Sequence, residues 1–367
     1  MTTQSQDTKL SAGGDDSLLT KTLRCACIGV GRMGRHHARK YAQMEGVELV
    51  AIVEADPERR AAAEEEHGCQ VFADERDLLD LDLDAVTIAV PTKYHLKCAK
   101  PLLEKGIACL IEKPLATDED ESRELAQLAE KHGATLMVGH IERFNPVVQA
   151  LEGKDDDGNP ISVGDSILPR FIEVHRVSPM PFRSLDVSVV MDMMIHDLDV
   201  VLWLMGGNEP TEIHASGVAV LSDGQEDVCN ARLTFDMPQG KCVANITASR
   251  LAMKTERKTR IIGENAYVSI DYGAKSGVLI RKNANSPQLE ELRAAIREGT
   301  DLSDLDYNDL LTIDTLDVDD DKDQLEMEVR AFLDCVRTKR TPPIDAKAGF
   351  AAVRTAQRII EIARKDW

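Results

Sequence analysis

Between Leu23 and Val138, short apolar runs alternate with stretches whose apolar residues recur at helical spacing. That rhythm leaves few folds open, because strand–helix–strand repeats force a parallel sheet covered by helices on both faces. The strands read as Leu23–Ile28, Val47–Val53, Ala85–Val90, Ile107–Ile111 and Thr135–Val138. Helical patterns fill the gaps at Asp56–His67, Lys93–Lys105 and Asp118–His132. Asp56 followed by Pro57 opens the first of these, and Thr117 or Asp118 caps the last. The expected fold class is α/β, with a doubly wound parallel sheet in the N-terminal half.

After Pro146 the rhythm changes. Helices near Asn145–Leu151 and Leu185–Met205 bracket a strand at Phe171–Val177. Alternating strands follow at Glu212–Leu221, Val228–Phe235, Gly240–Ser249, Thr259–Gly263, Ala266–Asp271 and Gly277–Arg281. This predicts a second α/β domain with a large open, mainly antiparallel sheet, one face of it under helices. The acidic run Asp314–Asp323 reads as a solvated connector, and helices at Gln324–Thr338 and Asp345–Lys365 close the chain. The expected division is a disordered Ser/Thr/Asp/Gly-rich tail at 1–20, a nucleotide-binding domain at 21–142 and a substrate-binding and oligomerisation domain at 143–367.

Charge and composition exclude several classes of partner. Sixty-four acidic against 44 basic residues give a net charge of -20, which repels phosphate backbones and argues against a nucleic-acid partner. No apolar run approaches the length of a membrane span, and the first twenty residues lack the apolar centre of a secretory signal. The 8 cysteines are scattered without a C-x-x-C pair, as reduced thiols of a cytoplasmic protein would be.

The chemistry begins where the first strand ends, at Gly29-Val30-Gly31-Arg32-Met33-Gly34. Gly29 allows the tight turn, Gly31 lets the backbone approach a pyrophosphate, and Gly34 lets helix and strand pack closely. The loop delivers the chain into a helix whose N-terminal N–H groups face the anion. Such a loop alone is weak evidence. Here Glu54 ends the second strand, where a carboxylate accepts the ribose hydroxyls and repels a 2′-phosphate, so NAD rather than NADP is the expected cofactor. The plain alternative is a turn followed by a surface glutamate.

Two further features lie at carboxyl ends of strands, where open sheets of this kind place ligands. Pro91, Thr92 and His95 follow the strand Ala85–Val90, and Glu112-Lys113-Pro114 follows the strand Ile107–Ile111. Proline after Lys113 keeps the lysine extended at the strand end, so its ammonium is presented to the cofactor. There it could serve as the base that takes a hydroxyl proton while hydride leaves; a surface lysine in a turn is the alternative. Farther along, Asp192, His196 and Asp199 fall at i, i+4 and i+7 of one helix and so share a face. Three ionisable groups sharing one face of a largely apolar helix imply a polar cavity, with Asp192 orienting the His196 imidazole as a general base. A metal site and a satisfied core histidine compete with that reading, and no H-E-x-x-H or Cys cluster supports a metal.

These motifs together resemble the glucose-fructose oxidoreductase, inositol dehydrogenase and rhizopine catabolism (Gfo/Idh/MocA) family over nearly the whole chain after the tail. The glycine loop, Pro91 with His95, Glu112-Lys113-Pro114, Gly139-His140 through Arg143-Phe144-Asn145-Pro146, and Asp192-x-x-x-His196 occur in the family's order. The resemblance implies a Rossmann domain joined to an open α/β domain, and a homodimer or homotetramer formed through the C-terminal sheet. It implies an NAD(P)-dependent dehydrogenase with Lys113 and His196 as its active-site lysine and histidine and Asp192 one turn before. The segments from Gly139 and from Val190 resemble those of bacterial UDP-N-acetylglucosamine 3-dehydrogenases. The reaction so implied is hydride transfer between the nicotinamide and C3 of a UDP-linked N-acetylhexosamine. A diphosphate would need cations, and Arg143, His175, Arg176 and Arg183 flank the expected pocket, with Asn145 beside Arg143. An inositol or free-aldose dehydrogenase would use the same core residues, a reductase would run the chemistry backwards, and an NAD sensor would lack the Lys113/His196 pair.

Overall fold

The computed structural model describes residues 21–151, 153–154, 160–180, 186–282, 286–299, 311–319 and 321–365. The expected tail at 1–20 and Arg183 therefore lie outside the described residues. The N-terminal strands are β1 (Leu23–Ile28), β2 (Val47–Val53), β3 (Gln70–Phe72), β4 (Ala85–Ile88), β5 (Ala108–Glu112) and β6 (Leu136–Gly139). They form one sheet in the order β3-β2-β1-β4-β5-β6, with every pair parallel. Helices α1 (Gly34–Gln43), α2 (Pro57–His67), α3 (His95–Glu104) and α4 (Glu119–His132) make the crossovers. Burial on both faces explains why most of β4 and of β5 is apolar without alternation. Strand order reverses between β1 and β4, so their carboxyl ends open a crevice. Asp56 caps α2, accepting from the Arg59 N–H at 2.9 Å, and Asp118 rather than Thr117 caps α4, accepting from the Glu121 N–H at 2.9 Å.

A short helix α5 (Pro146–Gln149), a two-stranded ribbon of β7 (Gly153–Lys154) and β8 (Pro160–Ile161), and α6 (Val163–Ile167) lead into β9 (Pro169–Val177). Next comes α7 (Ile195–Leu204), entered through a π-helical turn at Val190–Met194. Strands β10 (Glu212–Val218), β11 (Val228–Met237), β12 (Gly240–Ser249), β13 (Glu256–Gly263), β14 (Ala266–Asp271), β15 (Ser276–Lys282) and β16 (Leu311–Thr315) complete a second sheet. Its order is β10-β11-β12-β9-β13-β14-β15-β16, antiparallel throughout except where β9 lies parallel to β12. Along β9, Ile172, Val174 and Arg176 are buried while Glu173 and His175 are not, which is the period of two expected when helices cover one face only.

Helix α8 (Ser286–Arg297) and strand β16 were not expected, and they correct the reading of the acidic run. Asp314 belongs to β16 and pairs with Arg281 across the ladder at 2.9 Å, and Asp323 caps α9 (Gln324–Thr338). The last helix, α10 (Ala346–Ala363), packs on α4 of the first sheet as well as on α7. Just before it, the Val138 N–H donates to the Ile344 carbonyl at 2.9 Å. The C-terminal helices thus cross the division expected after residue 142. No helix among the described residues is long and apolar enough to cross a membrane.

Candidate active site

At the β1 end, each glycine of the loop has a separate cause. Gly29 adopts φ +83°, and a Cβ there would sit 2.8 Å from the Ala89 carbonyl oxygen. At Gly34 a Cβ would fall 1.8 Å from the Gly29 oxygen, so α1 can start against β1 only without a side chain. A Cβ on Gly31 would meet nothing within 4 Å. Its backbone borders open space, and packing therefore does not explain the glycine. Gly29, Gly31, Val53, Glu54, Ala89, Val90 and Pro91 line a cleft of about 450 Å³, which fits a dinucleotide half.

Glu54 is 6% exposed. It accepts from the Val30 N–H and the Asp56 N–H, each at 3.0 Å, and from the Arg59 guanidinium at 3.0 Å. Burial works against its charge, but the Arg59 bond and the two backbone donors hold the carboxyl below its usual range. It is an ionised acceptor at the cleft, as a ribose-binding carboxylate must be. Arg32 is exposed at the loop tip, Met33 half-buried beside it, and Thr92 half-buried after Pro91.

At the end of β5 the Lys113–Pro114 bond is cis. Lys113 Nζ donates to the Asp192 carbonyl oxygen at 2.7 Å and lies 3.8 Å from the Asp192 carboxylate. The structure thus brings Lys113, Asp192 and His196 together, from the end of β5, the π-helical turn and α7. Asp192 attends Lys113 instead of orienting His196, whose Nδ1 is buried without a hydrogen-bond partner among the described residues. Burial, then the charges of Lys113 and Arg176, hold the His196 imidazole well below its usual range, so it is neutral at pH 7. The wide π-helical turn changes the angular step that the i, i+4, i+7 argument assumed. Asp199, inside α7 with His196, is fully buried and takes Arg143 at 2.6 and 2.7 Å.

Several expected ligand residues hold the frame instead. Arg143 is committed to Asp199 and the Pro343 carbonyl, and Asn145 caps α5 while donating to Glu142 and the Tyr272 carbonyl. Arg176 bonds Asp197 at 2.6 Å and Glu142 at 2.9 Å. His175 projects from the opposite face of the second sheet, its Nδ1 3.3 Å from the Glu256 carboxylate, because adjacent strand residues point to opposite sides. His95 is buried, its ring nitrogens each 3.0 Å from the Val90 and Pro114 carbonyl oxygens, and it ties the loop after β4 to the cis turn. Glu112 turns inward to His37 of α1 at 2.8 Å.

Sequence reading missed His37 and Glu328 and left His140 without a role. The ligand atoms of His37, Glu112 and Glu328 lie within 4.8 Å of one another, and both Glu328 oxygens are buried without a partner among the described residues. Burial, then the charges of Glu112 and Asp199, push the Glu328 carboxyl well above its usual range. His140 is 1% exposed and neither ring nitrogen has a partner among the described residues. Only a glutamate interrupting the apolar face of α9 could have signalled this cluster.

The geometry agrees with known proteins. Residues 23–140 match the oxidoreductase family with an NAD-binding Rossmann fold, and residues 175–269 the GFO/IDH/MocA C-terminal domain. UDP-N-acetylglucosamine 3-dehydrogenase of Acidithiobacillus ferrooxidans is 32% identical over 92% of this chain and 96% of its own. A solved structure of that enzyme superposes with a TM-score of 0.76, covering 93% of this chain and 97% of that one. Inositol 2-dehydrogenase of Corynebacterium glutamicum is 33% identical over 51% of this chain and 56% of its own. The fold also matches the WlbA dehydrogenase of Bordetella pertussis in complex with NADH and UDP-GlcNAcA, at 20% identity, a TM-score of 0.72 and coverage of 95% of this chain and 97% of that one. In family, fold and cofactor domain alike, the chain belongs to the Gfo/Idh/MocA oxidoreductases and is an NAD-dependent dehydrogenase acting on a CH–OH group.

Proposed function

We propose that the chain oxidises a sugar ring hydroxyl, that at C3 of a UDP-linked N-acetylhexosamine, with Lys113 and His196 handling the hydroxyl and its proton. The observation that carries the chemistry is the meeting of the Lys113 ammonium, held by the Asp192 carbonyl, with a neutral imidazole at His196. The nicotinamide, when bound, supplies the hydride acceptor. Gly31 leaves space for the pyrophosphate, and Glu54 accepts the ribose hydroxyls. Lys113 donates to the substrate oxygen and draws charge onto it. The unprotonated nitrogen of His196 takes the hydroxyl proton as the carbon loses hydride, leaving a ketone and an imidazolium. Lys113 and Arg176, whose charges disfavour that imidazolium, speed its return of the proton to solvent. Asp192 positions Lys113.

The substrate class is supported by the full-length relative from Acidithiobacillus ferrooxidans. The inositol dehydrogenases that match half of the chain favour a free polyol as the second reading. Incubation with NAD and UDP-N-acetylglucosamine should produce NADH and a product two mass units lighter, a difference set by loss of hydride and proton. NADH from myo-inositol, and none from the nucleotide sugar, would overturn the substrate assignment. Lys113→Ala and His196→Ala should each lower kcat by about 100-fold or more while NADH affinity, read by fluorescence titration, stays within a few-fold. Near-normal rates in both would remove the proposed roles.

A further inference from the structure

The second sheet carries a cation on the pocket side that the fold does not use. Arg257, near the start of β13, stands directly opposite Arg176 of β9 in an antiparallel ladder. Opposed residues in such a ladder project from the same face. Arg176 reaches from that face to Asp197, the neighbour of His196. Arg257 is therefore on the helix-covered side, with Lys258 and His175 on the other. The electrostatics agree, since Arg257 is among the positive charges acting on both His196 and Asp197.

Its surroundings differ from those of the other arginines here. Arg143 and Arg176 are buried and spent on Asp199, Asp197 and Glu142. Arg257 is exposed and has no hydrogen bond or ion pair from its side chain among the described residues. In a chain with 64 acidic residues, a guanidinium beside a pocket without a carboxylate is poorly explained by fold stability. The turn before it adds Lys254, also exposed, and Met253, which is 94% exposed. The start of β13 and the turn before it thus expose two cations, Lys254 and Arg257.

We propose that Arg257 forms an anion subsite of the substrate pocket and binds the diphosphate of a nucleoside-diphosphate-linked sugar, with Lys254 at its outer edge. The planar guanidinium presents paired N–H donors that match two phosphoryl oxygens. A diphosphate on C1 lies one sugar ring away from a hydroxyl at C3, so its anion site must flank the His196 side, where the charge of Arg257 acts. The inference rests on the nucleotide-sugar reading and gives it a residue: a free polyol offers Arg257 no anion.

The test compares wild type, Arg257→Ala, Arg257→Lys and, as a control on the opposite face of the same strand, Lys258→Ala. Lys258 lies 3.7 Å from Asp271 and has no part in the pocket. UDP alone is the probe for direct binding by calorimetry, and UDP-N-acetylglucosamine for turnover. Arg257→Ala should weaken UDP binding and raise KM for the nucleotide sugar by about tenfold or more, with a smaller effect on kcat and none on NADH affinity. Arg257→Lys should recover part of the loss, and Lys258→Ala should match wild type. Should wild type turn over the nucleotide sugar while Arg257→Ala, still folded by thermal denaturation, binds UDP equally well, the subsite is wrong and the substrate reading stands. Equal weakening by Lys258→Ala reduces the effect to general charge and also overturns the subsite. If wild type neither binds UDP nor oxidises the nucleotide sugar, both fall together.

Discussion

Gly31 and Gly34 are three residues apart, yet alanine should act on them through different physics. A methyl at Gly34 has the Gly29 carbonyl oxygen 1.8 Å away, so the strand-to-helix turn must open, and Gly34→Ala should lower both thermal stability and NADH affinity. A methyl at Gly31 touches no protein atom within 4 Å. Gly31→Ala should therefore keep the wild-type melting temperature within about 2 °C, as expected of a surface change, and lose NADH affinity by about tenfold or more. A Gly31→Ala protein that binds NADH normally would place the pyrophosphate elsewhere. Glu54 carries the neighbouring test. Its removal takes away the ribose acceptor and releases Arg59, a cation 3.0 Å from the lost carboxylate and therefore placed for a 2′-phosphate. Glu54→Ala should shift relative kcat/KM toward NADP by about tenfold or more, and a variant that keeps its preference for NAD would deny Glu54 that role.

At the scale of elements, α1, β5 and α9 converge on one buried cluster, His37, Glu112 and Glu328. Glu328 is held neutral by its surroundings, so its proton is bound in the folded chain and released in the unfolded one as pH rises. A raised folded pKa makes stability fall with increasing pH above the unfolded value of about 4.3. Glu328→Gln removes that titration. Relative to wild type, its melting temperature should rise steadily from pH 5 to pH 8; a constant difference across that range would mean that Glu328 is ionised in the fold. The cluster also marks where sequence reading stops. Strands such as Leu23–Ile28 and Gly240–Ser249 are legible because burial on two faces or one imposes a run or an alternation. β3 is three residues long and β16 sits in an acidic stretch, so neither has a pattern. Lys113 and His196 stand out because their motifs are local. His37, Glu328 and Arg257 become partners of the site only through strand order and helix docking, which no local spacing encodes. Arg143, Arg176 and Asp199 show the reverse: cations and a carboxylate near a pocket in sequence, yet paired inside the frame.

The whole molecule joins two sheets around several buried imidazoles, and that arrangement has a consequence for acid stability. His95, His140 and His196 are each held below the usual histidine range, in every case with burial as the largest cause. They come from α3, from the end of β6 and from α7, so no single element can relieve them. In the unfolded chain each titrates near pH 6.5; in the folded chain each stays neutral to lower pH. Below about pH 6.5 the unfolded state therefore binds more protons than the folded one, and stability falls as pH falls. Each imidazole contributes a slope of about 1.4 kcal/mol per pH unit until its folded value is reached. Glu328 works in the opposite direction but only by a loss as pH rises, and Glu54, held below its usual range, adds its own loss only once the pH nears the carboxylate range. Between pH 6.5 and 5 the three histidines therefore lower stability as pH falls, against an opposing contribution from Glu328. His140 is the cleanest probe, since neither of its nitrogens has a partner to lose among the described residues. Denaturant unfolding between pH 7.5 and 5 should show wild-type stability dropping with acidity and a shallower drop in His140→Gln. Parallel curves for the two proteins would mean that His140 titrates in the fold as it does in the unfolded chain.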